Sequence, residues 1–469
     1  MDYEQAKDWK CDKNWAEQEF GKIELGDKRR EKRLIKVVED LSARPQLTIN
    51  HASKDWAATK AAYRLLSNED VNEEEILRVH IEQTQRRISC ENTILAIQDT
   101  TYLNYDEHDA CEGLGYIGTE HLKGIIIHHT LAVTPNNLPL GLLTQEKSTR
   151  LTMKRLSKKQ TQALPIEEKE SFRWITALRQ TEKRTKGINQ VVTICDREGD
   201  IYEFLQEAQE LKTGYLVRSS TPRLIVDNSN RTILDAIEAA DVSGQLEVKI
   251  PSSQGKKGRL ATCSVKFTSV TLKPPRRVGA QQITRLKPIE TYIVLVREEQ
   301  ISGGEEPLCW VLLTNIPVKS FNDATERISW YKTRWQIEVY HKILKSGCAV
   351  EDCRLETIER LCLYLTLFGI IAWRIFWFTH IKRTNPKDPA NTILAAVEIL
   401  VLSMLAGGKN KPPIPIITVN QAVIELAKQG GFLARRGDGH PGPTVVWRGF
   451  HRLSDAVDLY EIMMSQKCG

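Results

Sequence analysis

The sequence predicts an α/β protein: a mixed sheet with helices on its faces, set between a helical amino-terminal region and a helical carboxyl-terminal one. Three observations predict it. Residues 15–80 follow a helical apolar period, residues 93–148 break into strand-like runs, and from 166 onward strands and helices alternate before a helical final third.

In the first region, "LGDKRREKRLIKVVEDLSARP" places Leu34, Val37, Val38 and Leu41 on one face and cations on the other, and Pro45 ends the helix. From 93 the runs "TILAIQDTTYLNY", "GIIIHHTLAVTP" and "LPLGLLTQEKS" read as three consecutive antiparallel strands. A helix over 166–185, the β-rich "QVVTICD" and a helix through "IYEFLQEAQEL" then give a β-α alternation.

Residues 219–307 turn strand-like and rich in Pro, Gly and Lys, as a β-rich insertion would, before "LCWVLLTN" resumes a buried strand. Residues 323–380 read as helical almost throughout, and the chain ends in an amphipathic helix after "RRGDGHPGP". The expected domains are 1–75, 76–370 and 371–469.

A chain of 469 residues exceeds one simple core. Its ten cysteines form no regular framework and its first residues lack a leader pattern, so a cytoplasmic protein with reduced thiols is expected. "LCLYLTLFGIIAWRIFWF" (361–378) is long enough for a membrane span but contains Arg374, and reads as a buried core helix. A net charge of +6 is too small to prove a nucleic-acid partner by itself. No phosphate-cradling GxxxxGK[ST] or GxSxG elbow is present, which counts against ATP-driven or serine-hydrolase chemistry.

Chemistry concentrates in three places. Asp99 in "AIQDT" and Asp196 in "TICDREGD" each close an apolar strand, where sites collect in open α/β sheets. In "WYKTRWQIEVYHKILKSG", Tyr331, Arg334, Glu338, Lys342 and Lys345 recur at steps of three and four, on one broad face of a single helix. If that helix packs at the sheet edge, Glu338 joins the two aspartates as a third hard-oxygen ligand, suited to Mg²⁺ or Mn²⁺. Two such ions about 3.5–4 Å apart serve an in-line attack on phosphorus, with Arg334 and Lys345 on phosphates and Tyr331 and Trp335 against sugar or base. The plain alternative is a solvated helix with ordinary Glu and Lys pairs and two strand-end aspartates. His128 and His129, adjacent on a strand, face opposite ways and take structural roles, and "CAVEDC" lacks the second cysteine pair of a zinc site.

With these residues in place, the chain resembles the bacterial cut-and-paste DDE transposases of the insertion-sequence-four family, which includes the transposon-five transposase. The signature Tyr, two residues, Arg, three, Glu, six, Lys is matched by Tyr331, Arg334, Glu338 and Lys345, after "DTT" at Asp99 and "CDREGDIY" at Asp196. "WAEQEFGKIELGDKRREKRL" and "QGGFLARRGDGHPGPTVVWRGFHRL" look like the family's terminal regions.

The resemblance implies an RNase H-like core with its β-rich insertion before the last catalytic helix, and a triad of Asp99, Asp196 and Glu338 binding two Mg²⁺ or Mn²⁺ ions. It implies DNA contacts at Tyr331, Arg334, Lys345 and Arg218, a base-receiving Trp310, and a basic helix with Arg29, Arg30 and Arg33 on the terminal inverted repeat. Lys342 and Trp335 join the expected DNA face by their place in the same segment. Double-stranded DNA (element ends and target) and a second copy of the chain are the implied partners, with apolar surface at 361–378 and 449–464 expected to help pair the copies. No membrane or ATP is expected. Two other readings stay open: a cleavage-silent DNA-binding inhibitor or domesticated relative, and a structure-selective nuclease of the same fold.

Overall fold

The computed structural model describes residues 14–118, 122–150, 157, 160, 163–227, 229–250, 258–275, 286–299, 306–409 and 411–467. The opening residues read for a leader, and much of the Lys-rich run of the insertion, lie outside the described residues.

Ten strands among the described residues form one mixed sheet. The first group is β1 (Thr93–Asn104), β2 (Gly115–Tyr116), β3 (Lys123–Val133) and β4 (Pro139–Ser148). As expected, β1, β3 and β4 are antiparallel neighbours. Next come β5 (Gln190–Cys195) and β6 (Gly214–Arg218), which join β1 in parallel. Helix Phe172–Arg184 leads into β5 and helix Tyr202–Glu210 joins β5 to β6, the crossover connections that parallel neighbours need. The order β4-β3-β1-β5-β6 is an RNase H-like core.

The insertion contributes β7 (Gly244–Ile250), β8 (Arg259–Leu272) and β9 (Ile289–Glu298), and β10 (Cys309–Thr314) follows it. These strands extend the main sheet in the order β6-β10-β9-β8-β7. The insertion is therefore a continuation of the sheet past β10, because β10 pairs β6 on one side and β9 on the other.

The amino-terminal helices form for local reasons. Asp27 accepts the Arg29 amide at 2.7 Å and so caps helix Lys28–Ala43, whose Leu34, Val37, Val38 and Leu41 are buried as predicted. Asp55 caps Trp56–Leu66 and Asn72 caps Glu73–Ile88 in the same way. The expected boundary at 75/76 falls inside Glu73–Ile88, and that at 370/371 falls inside Ile358–Thr384. At both places the chain passes between regions along continuous helices.

Ile358–Thr384 is the one described helix long and apolar enough to cross a membrane, and 89% of its most apolar window is buried inside the protein. It is a core helix. Its Arg374 lies under the rings of Trp15, 4.4 Å from the centroid, and Phe450, at 4.9 Å, so one cation joins the first and last helices of the chain to the centre. Burial also corrects the expectation that 361–378 offers surface to a second copy. On the last helix, Pro443–Lys467, Leu459, Ile462, Met463 and Met464 are exposed.

That helix crosses Val419–Gln429 closely at two glycines. A Cβ on Gly430 would stand 1.8 Å from the Val445 carbonyl oxygen, and one on Gly449 would stand 2.1 Å from the Leu426 carbonyl oxygen. Backbone cannot yield as a flexible side chain does. Gly449→Ala is expected to destabilise the carboxyl-terminal helices by roughly 1–3 kcal/mol, the usual range for overpacking, seen as a lower thermal midpoint; an unchanged midpoint would show that the two helices can part without loss.

Candidate active site

The site is built at the end of the three parallel strands. Pairing of β1 with β5 stops at Ile97↔Ile194, and β5 itself ends at Cys195. Asp99 follows on β1, Asp196 follows β5, and Arg218 closes β6, so three neighbouring strands each deliver one charged side chain to the same edge. One refinement concerns Asp99, expected at a strand end: β1 runs on to Asn104, paired only with β3, where Asp99 faces His129 across the ladder. It is at the end of the parallel pairing, within the strand.

Asp196 begins a short 3₁₀ turn, Arg197–Gly199, and accepts the Glu198 amide at 2.8 Å. The Thr100 amide donates to Asp99 Oδ1 at 2.8 Å. Glu338 arrives from above on helix Trp335–Lys342 and is bonded to Arg334, whose Nη1 lies 3.8 Å from Asp99 Oδ2. Arg334 thus stands between two of the three carboxylates, with 16% of its side chain exposed.

Burial pushes the Asp99 carboxyl up to about 7; the negative charge of Asp196, and to a lesser degree that of Glu338, adds to it, while Arg334 and the Thr100 amide pull the other way. The charges of Asp196 and Glu338 thus bear on Asp99. Among the described residues no three His, Cys, Asp or Glu side chains stand close enough to hold an ion as they are. The donors are hard oxygens and carry excess negative charge, which fits a divalent cation such as Mg²⁺; Arg334 occupies the space between them as the present counter-charge.

The signature segment is not one helix. Phe321–Lys332 ends at Thr333, whose hydroxyl donates to the Trp330 carbonyl at 2.6 Å; Arg334 lies in the break; Trp335–Lys342 follows and runs into a π turn, Ile343–Gly347. The expected single helix is thus two helical segments joined by a tight turn, in which Thr333 and Arg334 keep right-handed helical backbone. Tyr331 is 4% exposed and packs edge-on against Trp310 of β10, ring centroids 5.3 Å apart. Its phenol meets Arg218, which also donates to the Cys309 carbonyl at 3.1 Å. Trp310 is half-buried beside this pair. Lys345 donates to the Tyr102 carbonyl at 2.9 Å and lies 3.4 Å from Glu351. Lys342 and Trp335 are exposed.

The structure thus gathers Asp99, Asp196, Glu338 and Arg334, with Arg218, Tyr331 and Trp310 along the same edge. It leaves the amino-terminal cations apart: Arg29 and Arg33 are exposed on Lys28–Ala43, whereas Arg30 pairs with Asp70 at 2.7 Å and is turned back onto its own domain.

Sequence reasoning missed a buried chain beneath the carboxylates. His129 Nδ1 lies 3.1 Å from His341 Nε2, and Tyr340 Oη lies 3.2 Å from His129 Nε2. It ties the helix of Glu338 to the strand next to Asp99. Burial holds the imidazole of His341 down to about 3, so the pair is neutral. The available signal was "VYH" inside a charged helix, two ring-bearing residues on its inner side. His128, on the opposite face, bonds the Thr100 hydroxyl at 2.9 Å; both histidines are structural, as expected.

Comparison with known families bears on the two ends of the chain. Residues 12–71 match the family model for transposase DNA-binding, and residues 370–464 match that for the transposase Tn5 dimerisation domain. With an RNase H-like sheet between them, these two matches support a Tn5-like transposase, with DNA binding placed before the core and dimerisation after it.

The raised Asp99 carboxyl sets a pH dependence. Unfolding returns it to the ordinary range near 3.8, so between about pH 4 and 7 the folded chain holds a proton that the unfolded chain has released. Its contribution therefore turns against folding as pH rises through that window. Asp99→Asn, which cannot ionise, is expected to match the parent near pH 4 and exceed its stability at pH 8 by on the order of a few kcal/mol, measured by denaturant melts without divalent ions. Equal differences at both pH values would show that Asp99 is not electrostatically strained.

Proposed function

We propose that this chain is a cut-and-paste DNA transposase of the insertion-sequence-four type, acting on the terminal inverted repeats of its own element. The observation that carries the reading is the row Asp99, Asp196, Arg218 and Trp310 along one sheet edge, with Arg334 and Glu338 lowered onto it.

Asp99, Asp196 and Glu338 are the proposed holders of two Mg²⁺ or Mn²⁺ ions. When bound, these supply Lewis acidity for in-line attack on phosphorus, without ATP. The protein's own groups do the rest. Arg334, released from the carboxylates once they are neutralised, turns its planar fork to a phosphate. Lys345 holds a neighbouring phosphate, while Lys342 and Trp335 line the approach. Arg218 and Tyr331 steady the strand that is cut, and Trp310 offers a ring to a base extruded as the strand folds back.

In sequence, a nick frees a 3′-hydroxyl at each element end, that hydroxyl attacks the opposite strand to close a hairpin, the hairpin is opened, and the ends join target DNA. Arg29 and Arg33 on the amino-terminal helix are placed to meet the repeat, and two copies pair the two ends. Such a protein works in the bacterial cytoplasm, on the nucleoid.

The test is a labelled duplex ending in the inverted repeat that borders the gene, incubated with the full chain and Mg²⁺. A 3′-hydroxyl nick followed by a hairpin is expected, and Glu338→Ala should lower both by on the order of 10³-fold or more. Binding without either product would favour a silent DNA-binding relative, and equal cutting of a scrambled end would favour a structure-selective nuclease.

Trp310→Ala is expected to lower the hairpin yield by roughly tenfold, as loss of about 1–3 kcal/mol of base stacking implies. The first nick should change far less. A variant that closes hairpins like the parent would remove Trp310 from the base-receiving role.

A further inference from the structure

Four residues beyond Asp196, the Asp200 side chain is fully buried and bears more hydrogen bonds than a turn requires. Its Oδ1 accepts Arg223 Nε at 2.9 Å and Nη2 at 2.5 Å; its Oδ2 accepts the amides of Ser220 at 2.8 Å and Thr221 at 3.1 Å, and the Ser219 hydroxyl at 3.2 Å. Arg223 also donates to the Asp200 backbone carbonyl at 2.7 Å and lies over the Tyr202 ring. The Tyr202 hydroxyl donates to the Lys287 carbonyl, beside the start of β9, at 2.8 Å.

The position of this ion pair gives it meaning. On one side, the Asp200 amide closes the turn that Asp196 opens, donating to the Arg197 carbonyl at 3.3 Å. On the other, the loop it grips, residues 219–223, directly continues Arg218, which touches Tyr331. The pair therefore joins the turn carrying a proposed metal ligand, the loop aiming a proposed DNA contact and the insertion. A buried ion pair is a poor device for stability alone, since apolar replacements often match it. It does impose one geometry, because a carboxylate that accepts two loop amides and an arginine fork tolerates little displacement.

We propose that Asp200 and Arg223 are positioning residues: a latch that fixes Arg218 and Tyr331 relative to the turn at Asp196, and thereby governs hairpin closure more than the first nick. The proposal rests on the reading under Proposed function. The first nick needs the carboxylates and one phosphate in register, all on β1, β5 and the Glu338 helix. Closing the hairpin also needs the distorted strand held against Trp310 by Arg218 and Tyr331. Loosening the latch frees loop 219–223 and with it Arg218, whereas Asp99 and Glu338 make no contact with the latch and Asp196 keeps its own bond to the Glu198 amide.

The experiment uses the full-length chain, Mg²⁺ and the duplex bearing the bordering repeat, with both strands labelled. Arg223→Gln acts from the loop side, and Asp200→Asn, similar in shape, acts from the turn side. Each is expected to leave the nick within about threefold of the parent and to lower hairpins formed per nick by roughly tenfold or more, with faster amide exchange at Ser220 and Thr221. Equal loss of nick and hairpin, or an unchanged ratio between them, overturns the latch, as does failure of both variants to fold. A parent protein that cuts no better than Glu338→Ala defeats the underlying transposition reading instead, and is recognised because the latch variants then differ from neither.

Discussion

The structure is organised by an electrostatic conflict: carboxylates brought together at the end of parallel strands, in a place too buried for all of them to be charged. Asp99 shows the conflict most plainly, since its carboxyl stays protonated until about pH 7. Burying charge without a partner costs several kcal/mol, roughly, and such groups either neutralise or find a counter-ion. Here Arg334 fills that need by standing between Asp99 and Glu338. Much of the local architecture serves to hold that arrangement: the helix break at Thr333 that turns Arg334 inward, and the His129–His341 contact that keeps the Glu338 helix over the sheet.

Much of this was legible in the residues. Apolar periodicity located the buried face of Lys28–Ala43 and the antiparallel run β1, β3 and β4, because both follow from a period that side-chain burial enforces locally. The association of Asp99, Asp196 and Glu338 was also legible, through strand-end placement and motif order. What could not be read was the break at 333–334. "WYKTRWQIEVYHKILKSG" contains no proline or glycine before Gly347 and keeps helical spacing throughout. At the break, the Thr333 and Arg334 amides donate to carbonyls three residues back, a local tightening that the residue types do not announce.

The break also changes what the charges mean. On a continuous helix, all five residues would share one face and act together. Here Tyr331 meets Arg218, Arg334 and Glu338 bond to each other beside Asp99, and Lys345 donates to the Tyr102 carbonyl farther along β1. The long helix Ile358–Thr384 passes from the sheet into the carboxyl-terminal bundle without a shift in composition, being buried on both sides of residue 370.

That helix is the mechanical link between the site and the modules at either end. It packs against β4 and the π turn that carries Lys345, and its Arg374 is covered by Trp15 from one end of the chain and Phe450 from the other. The two terminal modules and the sheet are thus packed on one long helix, which touches helix Glu73–Ile88 on one side and the carboxyl-terminal helices on the other.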